Sequence, residues 1–244
     1  MKHKGKIFSL AILLLLLPAL IAFRTILQSI DEQIISYRVN PKLQDVQLYW
    51  KNDKGEIFKS IQNLKTYVED KHKTLLFAMN GGMYKQDYSP LGLFIRDGKT
   101  ISPLNTASGS GNFYMEPNGV FCITEDNIPG IYKTSELTAK GKMKYATQSG
   151  PMLVVDGNIN PAFKDGSKNI NIRNGVGILP DNEIVFAISK SEINFFDFAT
   201  YFKNLGCSNA LYLDGYVSRA YIPDSSWKQT DGNFGVIIGV TKKE

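Results

Sequence analysis

Two segments of the chain place polar side chains with chemical potential directly after apolar, strand-like runs. Asn80 ends one such run and is followed by Gly81 and Gly82, while Asp214 ends another and is followed by Gly215. A carboxylate can serve as a base or a nucleophile, and a carboxamide both donates and accepts hydrogen bonds. Glycines allow the backbone to turn sharply and bring its amides close to a ligand. Strand ends of this kind build pockets when they converge, so these residues are candidates for a substrate site.

Further polar residues stand just before apolar runs. Arg173 and Asn174 precede the run 176–179, and Ser149 precedes the run 152–155. The guanidinium fork of an arginine suits a phosphate or a carboxylate. Taken singly, Asn-Gly and Asp-Gly pairs form turns and a lone arginine is a surface charge or salt-bridge partner. The joint occurrence of amide, guanidinium and carboxylate at strand ends is what favours a pocket.

Composition excludes several classes of function. The 244 residues are 43% hydrophobic and 21% charged, which is typical of a globular protein. The two histidines are His3, in the leader, and His72, which we expect to be a solvated side chain at a charged helix end. This scarcity argues against His-rich zinc sites and leaves Ser-His-Asp chemistry dependent on one residue. The net charge of +5 includes Lys2, Lys4 and Lys6 of the leader and is too small to predict nucleic acid binding.

The N-terminus has the form of an export signal. A cationic head precedes the apolar run 7–23, and cleavage after Ala22 is plausible, with a retained membrane anchor as the open alternative. In both cases the body of the protein lies outside the cytoplasm, in the periplasm or at the cell surface. Cys122 and Cys207 are expected to be small buried hydrophobic residues, although an exported chain would permit a disulfide.

The patterning predicts a single α+β domain, mixed but mainly antiparallel, rich in sheet and with few helices. Short connections between strand-like runs favour antiparallel pairing. Two helices are predicted, one over 61–72 with Ser60 as its N-cap, and one capped by Asn194 and ended by Gly206. Short strands at 47–50 and 56–58 are expected around a polar turn.

We divide the chain into three parts. Residues 1–22 are the signal peptide or anchor, and residues 23–74 form lead-in strands and a helix. Residues 75–244 are the main domain, packed as one unit with 46–74.

Three segments, in this order, resemble the phosphodiester glycosidase family, and most closely its small exported bacterial members. They are Asn-Gly-Gly-Met-Tyr at 80–84, Arg-Asn-Gly-Val-Gly at 173–177 and Leu-Asp-Gly-Tyr-Val-Ser at 213–218. The resemblance covers roughly residues 75–241. It implies a hydrolase that breaks the bond between a sugar's anomeric carbon and a phosphodiester oxygen, acting on a phosphorylated glycan or glycolipid.

The resemblance and this chemistry together suggest roles for the residues. A phosphate leaving group is a weak base, so a cation that holds it can replace much of a general acid. We expect Asp214 to activate water, attack the anomeric carbon or stabilise its developing charge, and Arg173 to pair with the phosphate. The expected substrate-binding residues are Asn80, Gly81, Gly82, Ser149, Asn174 and Gly215.

Two spare carboxylates and three tyrosines lie near the motifs. Glu116 is the first candidate for a second acid, ahead of Asp87, although a surface role is favoured for both. Tyr84, Tyr114 and Tyr216 are candidates for stacking on a sugar face, with partly buried loop tyrosines as the equally favoured reading.

Two other functions stay open at this point. One is a non-catalytic envelope module that binds anionic or phosphorylated glycans. The other is a metal-dependent phosphodiesterase in which Asp214, Asn80 and Asp87 supply oxygen ligands to Mg²⁺ or Ca²⁺. Apart from such a divalent cation no cofactor is expected, no nucleic acid partner is expected, and membrane contact is expected only through the N-terminal segment.

Overall fold

The computed structural model describes residues 30–137, 142–214 and 217–243, and within these ranges every strand pairing is antiparallel. This confirms the prediction of a sheet-rich, mainly antiparallel α+β fold. In chain order the strands are β1 (Ile34–Val39), β2 (Gln44–Tyr49), β3 (Leu75–Asn80), β4 (Phe94–Arg96), β5 (Lys99–Ser102), β6 (Gly119–Thr124), β7 (Pro129–Lys133), β8 (Met143–Ser149), β9 (Met152–Val155), β10 (Asn158–Ile159), β11 (Asn174–Ile178), β12 (Ile184–Ser189), β13 (Ala210–Asp214), β14 (Ala220–Ile222), β15 (Trp227–Lys228) and β16 (Ile237–Lys242).

The strands form three sheets around a shared apolar core. The first has the order β1-β12-β11-β13-β9-β10, the second β15-β14-β3-β16-β2 and the third β5-β4-β8-β6-β7. Phe186 of the first sheet stacks on Phe77 of the second at 5.0 Å and meets Phe121 of the third edge-on at 5.9 Å. All three rings are fully buried, so one aromatic cluster connects the three sheets.

Both α-helices of ten residues begin at their predicted caps. In α1 (Ile61–Asp70) the Ser60 side chain accepts from a backbone amide of the first turn, and in α2 (Phe195–Asn204) Asn194 does the same. Gly206, just beyond α2, has a φ of +81°, which a glycine adopts without steric cost. His72 is exposed after α1, as expected.

The region before residue 60 differs from its prediction. The expected hairpin of 47–50 with 56–58 reduces to an isolated pairing of Lys51 with Ile57. The turn itself is present, since the Asn52 amide donates to the Glu56 carbonyl and the Phe58 amide donates to the Trp50 carbonyl. The regular strand β2 lies earlier in the chain and pairs along its whole length with β16. Long-range pairing of this kind has no signal in the local pattern around a turn.

The predicted leader, residues 1–22, lies outside the described residues. Within the described ranges the structure contains no helix with the length and apolar character needed to span a membrane. Cys122 and Cys207 are free and buried, which confirms the expectation of small hydrophobic residues rather than a disulfide.

Candidate active site

The three sheets bring their strand ends to one point. Asn80 is the last residue of β3 in the second sheet, and Ser149 is the last residue of β8 in the third. In the first sheet Asn174 begins β11 and Asp214 ends β13, and the two lie opposite each other in the antiparallel register. The sequence predicts all four residues beside strand-like runs, and in the structure the four strand ends lie next to one another.

Asn80, Asn174 and Asp214 form a continuous hydrogen-bonded group, which we call the carboxylate corner. The Asn80 Nδ2 donates to Asp214 Oδ2 at 3.0 Å, and the Asn174 Nδ2 donates to Asn80 Oδ1 at 2.9 Å. The backbone amide of Asp214 donates to Asn174 Oδ1 at 2.9 Å, which closes the ring. The two amides are fully buried and Asp214 is 5% exposed, so the carboxylate is held in one orientation.

Ser149 and the two glycines support this corner from behind. The Ser149 hydroxyl donates to the carbonyl oxygen of Leu213 at 2.7 Å, which fixes the backbone just before Asp214. The Gly81 amide donates to the Val236 carbonyl oxygen at 2.9 Å and is therefore engaged within the protein. A Cβ at Gly81 would collide with the Ile238 side chain, so the glycine is required for close packing. Because its amide is engaged in this way, the structure does not support the expectation that Gly81 binds the substrate.

Gly82 is also a packing glycine. It is buried, and a Cβ there would lie 2.5 Å from Thr147 Oγ1, a distance that real Cβ atoms do not tolerate. Neither Gly81 nor Gly82 lines the neighbouring cavity. Gly215 and Tyr216 lie outside the described residues.

A cavity of about 630 Å³ opens in front of Asp214. Of the described residues that line it, Asp214 is the only carboxylate. One wall is a pair of tyrosines, Tyr84 and Tyr88, stacked with ring centroids 5.8 Å apart. Asn233 fixes both rings, since its carbonyl oxygen accepts from the Tyr84 hydroxyl at 2.9 Å and its Nδ2 donates to the Tyr88 hydroxyl at 2.6 Å. Such an aromatic wall suits the apolar face of a sugar ring.

The opposite wall comes from the segment before β6. It contributes Asn112, Phe113 and Tyr114, and the Phe113 and Tyr114 rings meet edge-on at 5.0 Å. Two of the tyrosines proposed for sugar stacking, Tyr84 and Tyr114, thus line the cavity.

Lys85 is the one described lining residue with a positive charge. Its side chain is exposed, and within the described part of the chain no carboxylate oxygen lies within 4 Å of its ammonium group. Sequence reasoning missed Lys85, because a single lysine beside a tyrosine carries no motif.

Arg173 occupies a different place from the one predicted. Its side chain is fully buried, with Nε donating to the Ile193 carbonyl oxygen at 2.8 Å and Nη2 donating to the Asn169 carbonyl oxygen at 2.8 Å. The guanidinium carbon lies 3.6 Å from the Phe195 ring centroid. Burial lowers the pKa of this guanidinium, and Tyr212 opposes that shift. Arg173 does not line the cavity, so the structure does not support the predicted direct pairing with a phosphate.

Tyr212 connects Arg173 to the cavity. Its hydroxyl accepts from Arg173 Nη1 at 3.3 Å, and the side chain of Asn112, which lines the cavity, has a small lowering effect on the pKa of that hydroxyl. Burial raises the pKa of Tyr212 to about 12, so the phenol is neutral at ordinary pH. Arg173 is therefore connected to the cavity wall only indirectly, through its hydrogen bond with Tyr212.

The two spare carboxylates lie apart from the cavity. Asp87 is exposed and accepts from the amide and the hydroxyl of Ser89, and these hydrogen bonds lower its pKa. Glu116 is exposed and accepts from the amide of Asn118 at 3.2 Å. Neither lines the cavity, which matches the surface role favoured for both. The described ranges contain no cluster of three His, Cys, Asp or Glu side chains able to hold a metal ion.

Comparisons with known proteins agree with this arrangement. A family model described as phosphodiester glycosidase matches residues 73–238. Over 235 residues the chain is 37% identical to the Escherichia coli (strain K12) protein named "Uncharacterized protein YigE", a match that covers 96% of this chain and 92% of that one.

Solved structures share the fold at low identity. The zebrafish N-acetylglucosamine-1-phosphodiester alpha-N-acetylglucosaminidase catalytic domain, auto-inhibited by its pro-peptide, superimposes with a TM-score of 0.60 at 15% identity, covering 86% of this chain and 84% of that one. A putative exported protein from Burkholderia pseudomallei K96243 superimposes with a TM-score of 0.55 at 9% identity, covering 85% of this chain and 73% of that one. The family match extends over most of the chain and includes every strand end of the carboxylate corner. The chain therefore belongs to the phosphodiester glycosidase family, with the glycosidase-like role that this membership implies.

Proposed function

We propose that the protein is an exported hydrolase that cleaves the bond between the anomeric carbon and the phosphate oxygen of a glycosyl 1-phosphodiester. The observation that carries the proposal is the single carboxylate, Asp214, held by Asn80 and Asn174 at the wall of a cavity large enough for a sugar. An open cleft of this volume, with few and well-oriented polar groups, is typical of small-molecule binding.

One carboxylate is sufficient for this reaction. Asp214 takes a proton from a water molecule, whose oxygen forms a bond to the anomeric carbon. The bond from that carbon to the phosphate oxygen breaks with its electron pair going to the phosphate, which leaves as a monoester. Because the departing phosphate is a weak base, no second carboxylic acid is needed to protonate it. The lining described here fits that requirement, since Asp87 and Glu116 lie outside it.

The remaining residues of the corner position Asp214 rather than react. Asn80 donates to the carboxylate, Asn174 accepts from its backbone amide, and Ser149 fixes the preceding carbonyl. The stacked pair Tyr84 and Tyr88 provides the surface for the sugar ring. In this proposal the leader, residues 1–22, delivers the enzyme to the periplasm or cell surface, which cell fractionation and N-terminal sequencing of the exported protein would test.

The test uses the purified chain and a panel of sugar 1-phosphodiesters, with released reducing sugar as the measurement. The wild type should release sugar from at least one diester, and Asp214→Asn should lower kcat by about 10²-fold or more. Asp126→Asn removes an exposed carboxylate that lines neither of the two neighbouring cavities and should leave the rate unchanged. Asp214→Asn with undiminished turnover would overturn the role of the carboxylate.

Two arms of the same assay address the other functions considered. Diester binding without any sugar release by the wild type would indicate a non-catalytic glycan-binding module instead. Activity that disappears with a chelator and returns with Mg²⁺ or Ca²⁺ would indicate a metal-dependent enzyme.

A further inference from the structure

A second cavity adjoins the one that contains Asp214. It has a volume of about 490 Å³ and is bounded by residues 102–107. Lys85, Leu91 and Tyr114 line both cavities, so the two spaces meet at these three side chains. The site is therefore a cleft with two compartments and a common boundary.

The cation of the cleft lies at that boundary. Lys85 is the only described residue with a positive charge in either lining. A phosphodiester carries one negative charge with an organic group on each side of the phosphorus. An anion bound at Lys85 would direct one of those groups toward Asp214 and the other toward residues 102–107.

The wall of the second cavity is held in place by Gln148. The Oε1 of this buried side chain accepts from the Asn105 amide at 2.9 Å, and its Nε2 donates to the Asn105 carbonyl oxygen at 2.7 Å. The same Oε1 accepts from the Leu93 amide at 3.0 Å. A Cβ at Gly92 would collide with the Gln148 carboxamide, so the glycine makes this anchorage possible. The wall is preformed, which lowers the entropy lost when a ligand binds.

The lining of the second cavity is chemically mixed. Ser102 and Thr106 bring hydroxyl groups and Asn105 brings an amide, alongside the apolar side chains of Pro103 and Leu104. Groups of this kind match an alcohol that carries several hydroxyls on a carbon framework, such as a second sugar, better than an acyl chain.

We propose that Lys85 binds the phosphate of the diester and that the second cavity binds its alcohol portion, a polyhydroxy group. This rests on the proposed function, in which the first cavity takes the sugar whose anomeric bond breaks. It predicts that the protein distinguishes diesters by the alcohol they carry, and that this selectivity is independent of Asp214.

The test measures binding by calorimetry in the Asp214→Asn chain, so that turnover does not interfere. The probes are the methyl diester of N-acetylglucosamine 1-phosphate and its diester with the 6-hydroxyl of glucose, which we call the glucosyl diester and which has only one anomeric bond to phosphate. The glucosyl diester should bind about ten-fold more tightly, because only its alcohol fills the second cavity. Ala107→Trp adds a large side chain to the lining of that cavity and should lower the affinity for the glucosyl diester to that for the methyl diester. Ser108→Trp is the matched control, since Ser108 is exposed and outside the lining.

Lys85→Met removes the charge while keeping the length of the side chain. It should weaken binding of both diesters about ten-fold or more, whereas Lys99→Met, at an exposed lysine outside both linings, should change neither. If Asp214→Asn does not fold, the same substitutions can be made in the chain that keeps Asp214, and their KM values then replace the binding measurement. Equal binding of the two diesters, or undiminished binding by Lys85→Met, would overturn the inference. Binding that follows these predictions without sugar release by the wild type would overturn the proposed hydrolysis alone.

Discussion

Arg173 and Lys85 are two cations near the same cleft, and their surroundings are opposite. Arg173 is fully buried, lies against the Phe195 ring and donates to backbone carbonyls. Lys85 is exposed at the boundary of two cavities, and in the described ranges no carboxylate lies within 4 Å of its ammonium group. A guanidinium whose N–H donors already bond to the protein has few donors left for a ligand. An exposed ammonium that is in no ion pair can offer its N–H donors to a ligand.

The contrast shows why position next to a motif does not assign a role to a charge. Arg173 directly precedes Asn174 of the carboxylate corner, yet its side chain and that of Asn174 serve different parts of the molecule. Adjacent residues in extended backbone point to opposite sides, so one can face the site while its neighbour enters the core.

The largest effect that tests this contrast is on stability. Arg173→Met should lower the free energy of unfolding by about 3–5 kcal/mol, because it removes the guanidinium hydrogen bonds to the Asn169 and Ile193 carbonyl oxygens and the contact with the Phe195 ring. Among the described residues the Ile193 oxygen keeps only the Asn171 amide as a donor. Urea denaturation followed by tryptophan fluorescence measures this. A variant that unfolds at the same urea concentration as the wild type but has lost turnover would instead support direct phosphate pairing by Arg173.

A smaller effect is expected where Arg173 connects to the cavity. Tyr212→Phe removes the hydroxyl that accepts from Arg173 Nη1, and should lower the free energy of unfolding by about 1–2 kcal/mol. Urea midpoints at pH 8 measure the loss. If Tyr212→Phe were as stable as the wild type, the proposed connection between Arg173 and the cavity wall would carry no energy.

The pH dependence of that difference follows from the raised pKa of Tyr212. The pKa is about 12 in the folded protein against an ordinary value of 10.0, so the folded state keeps a proton that the unfolded state releases above pH 10. This contribution to stability is fully present below pH 10 and is lost as the pH rises toward 12. The stability advantage of the wild type over Tyr212→Phe should therefore narrow between pH 10 and pH 12, and an advantage that widens over this range would contradict the assignment.

The smallest effect is expected at the exposed cation. Lys85→Met should change the free energy of unfolding by no more than about 0.5 kcal/mol, because it removes no ion pair within the described residues. The same urea titration provides the value. A loss comparable to that of Arg173→Met would mean that Lys85 supports the fold, and the contrast between the two cations would disappear.

Much of the fold could be predicted from local patterns. The caps Ser60 and Asn194 and the turn at Gly206 follow from side-chain chemistry within a few residues, and the structure confirms them. The strand before residue 40 was harder to foresee, because β1 is an edge strand stabilised by pairing with the distant β12. Whether such a segment forms a strand, and which of its side chains are buried, depends on the distant strand with which it pairs more than on its own residue types.

The residues of the candidate site also fall into those that local sequence patterns identify and those that they do not. Asn80, Asn174 and Asp214 were identifiable because each stands where an apolar strand begins or ends. Lys85 was not, because its place depends on how residues 102–107 and the second sheet meet. The glycines were recognised, but whether a glycine admits a ligand or a neighbouring side chain depends on what lies beyond its missing Cβ.

Gln148 and Ser149, adjacent at the end of β8, have consequences for how the family can diversify. Ser149 supports the backbone just before Asp214, while the Gln148 side chain hydrogen bonds to the segment 102–107. Within that segment Gln148 bonds only to the main chain of Asn105, so the side chains of the segment can vary without loss of this anchor. Under the proposed function, we expect relatives to differ in the alcohol that they accept through changes in this segment, while Asn80, Asn174 and Asp214 stay the same.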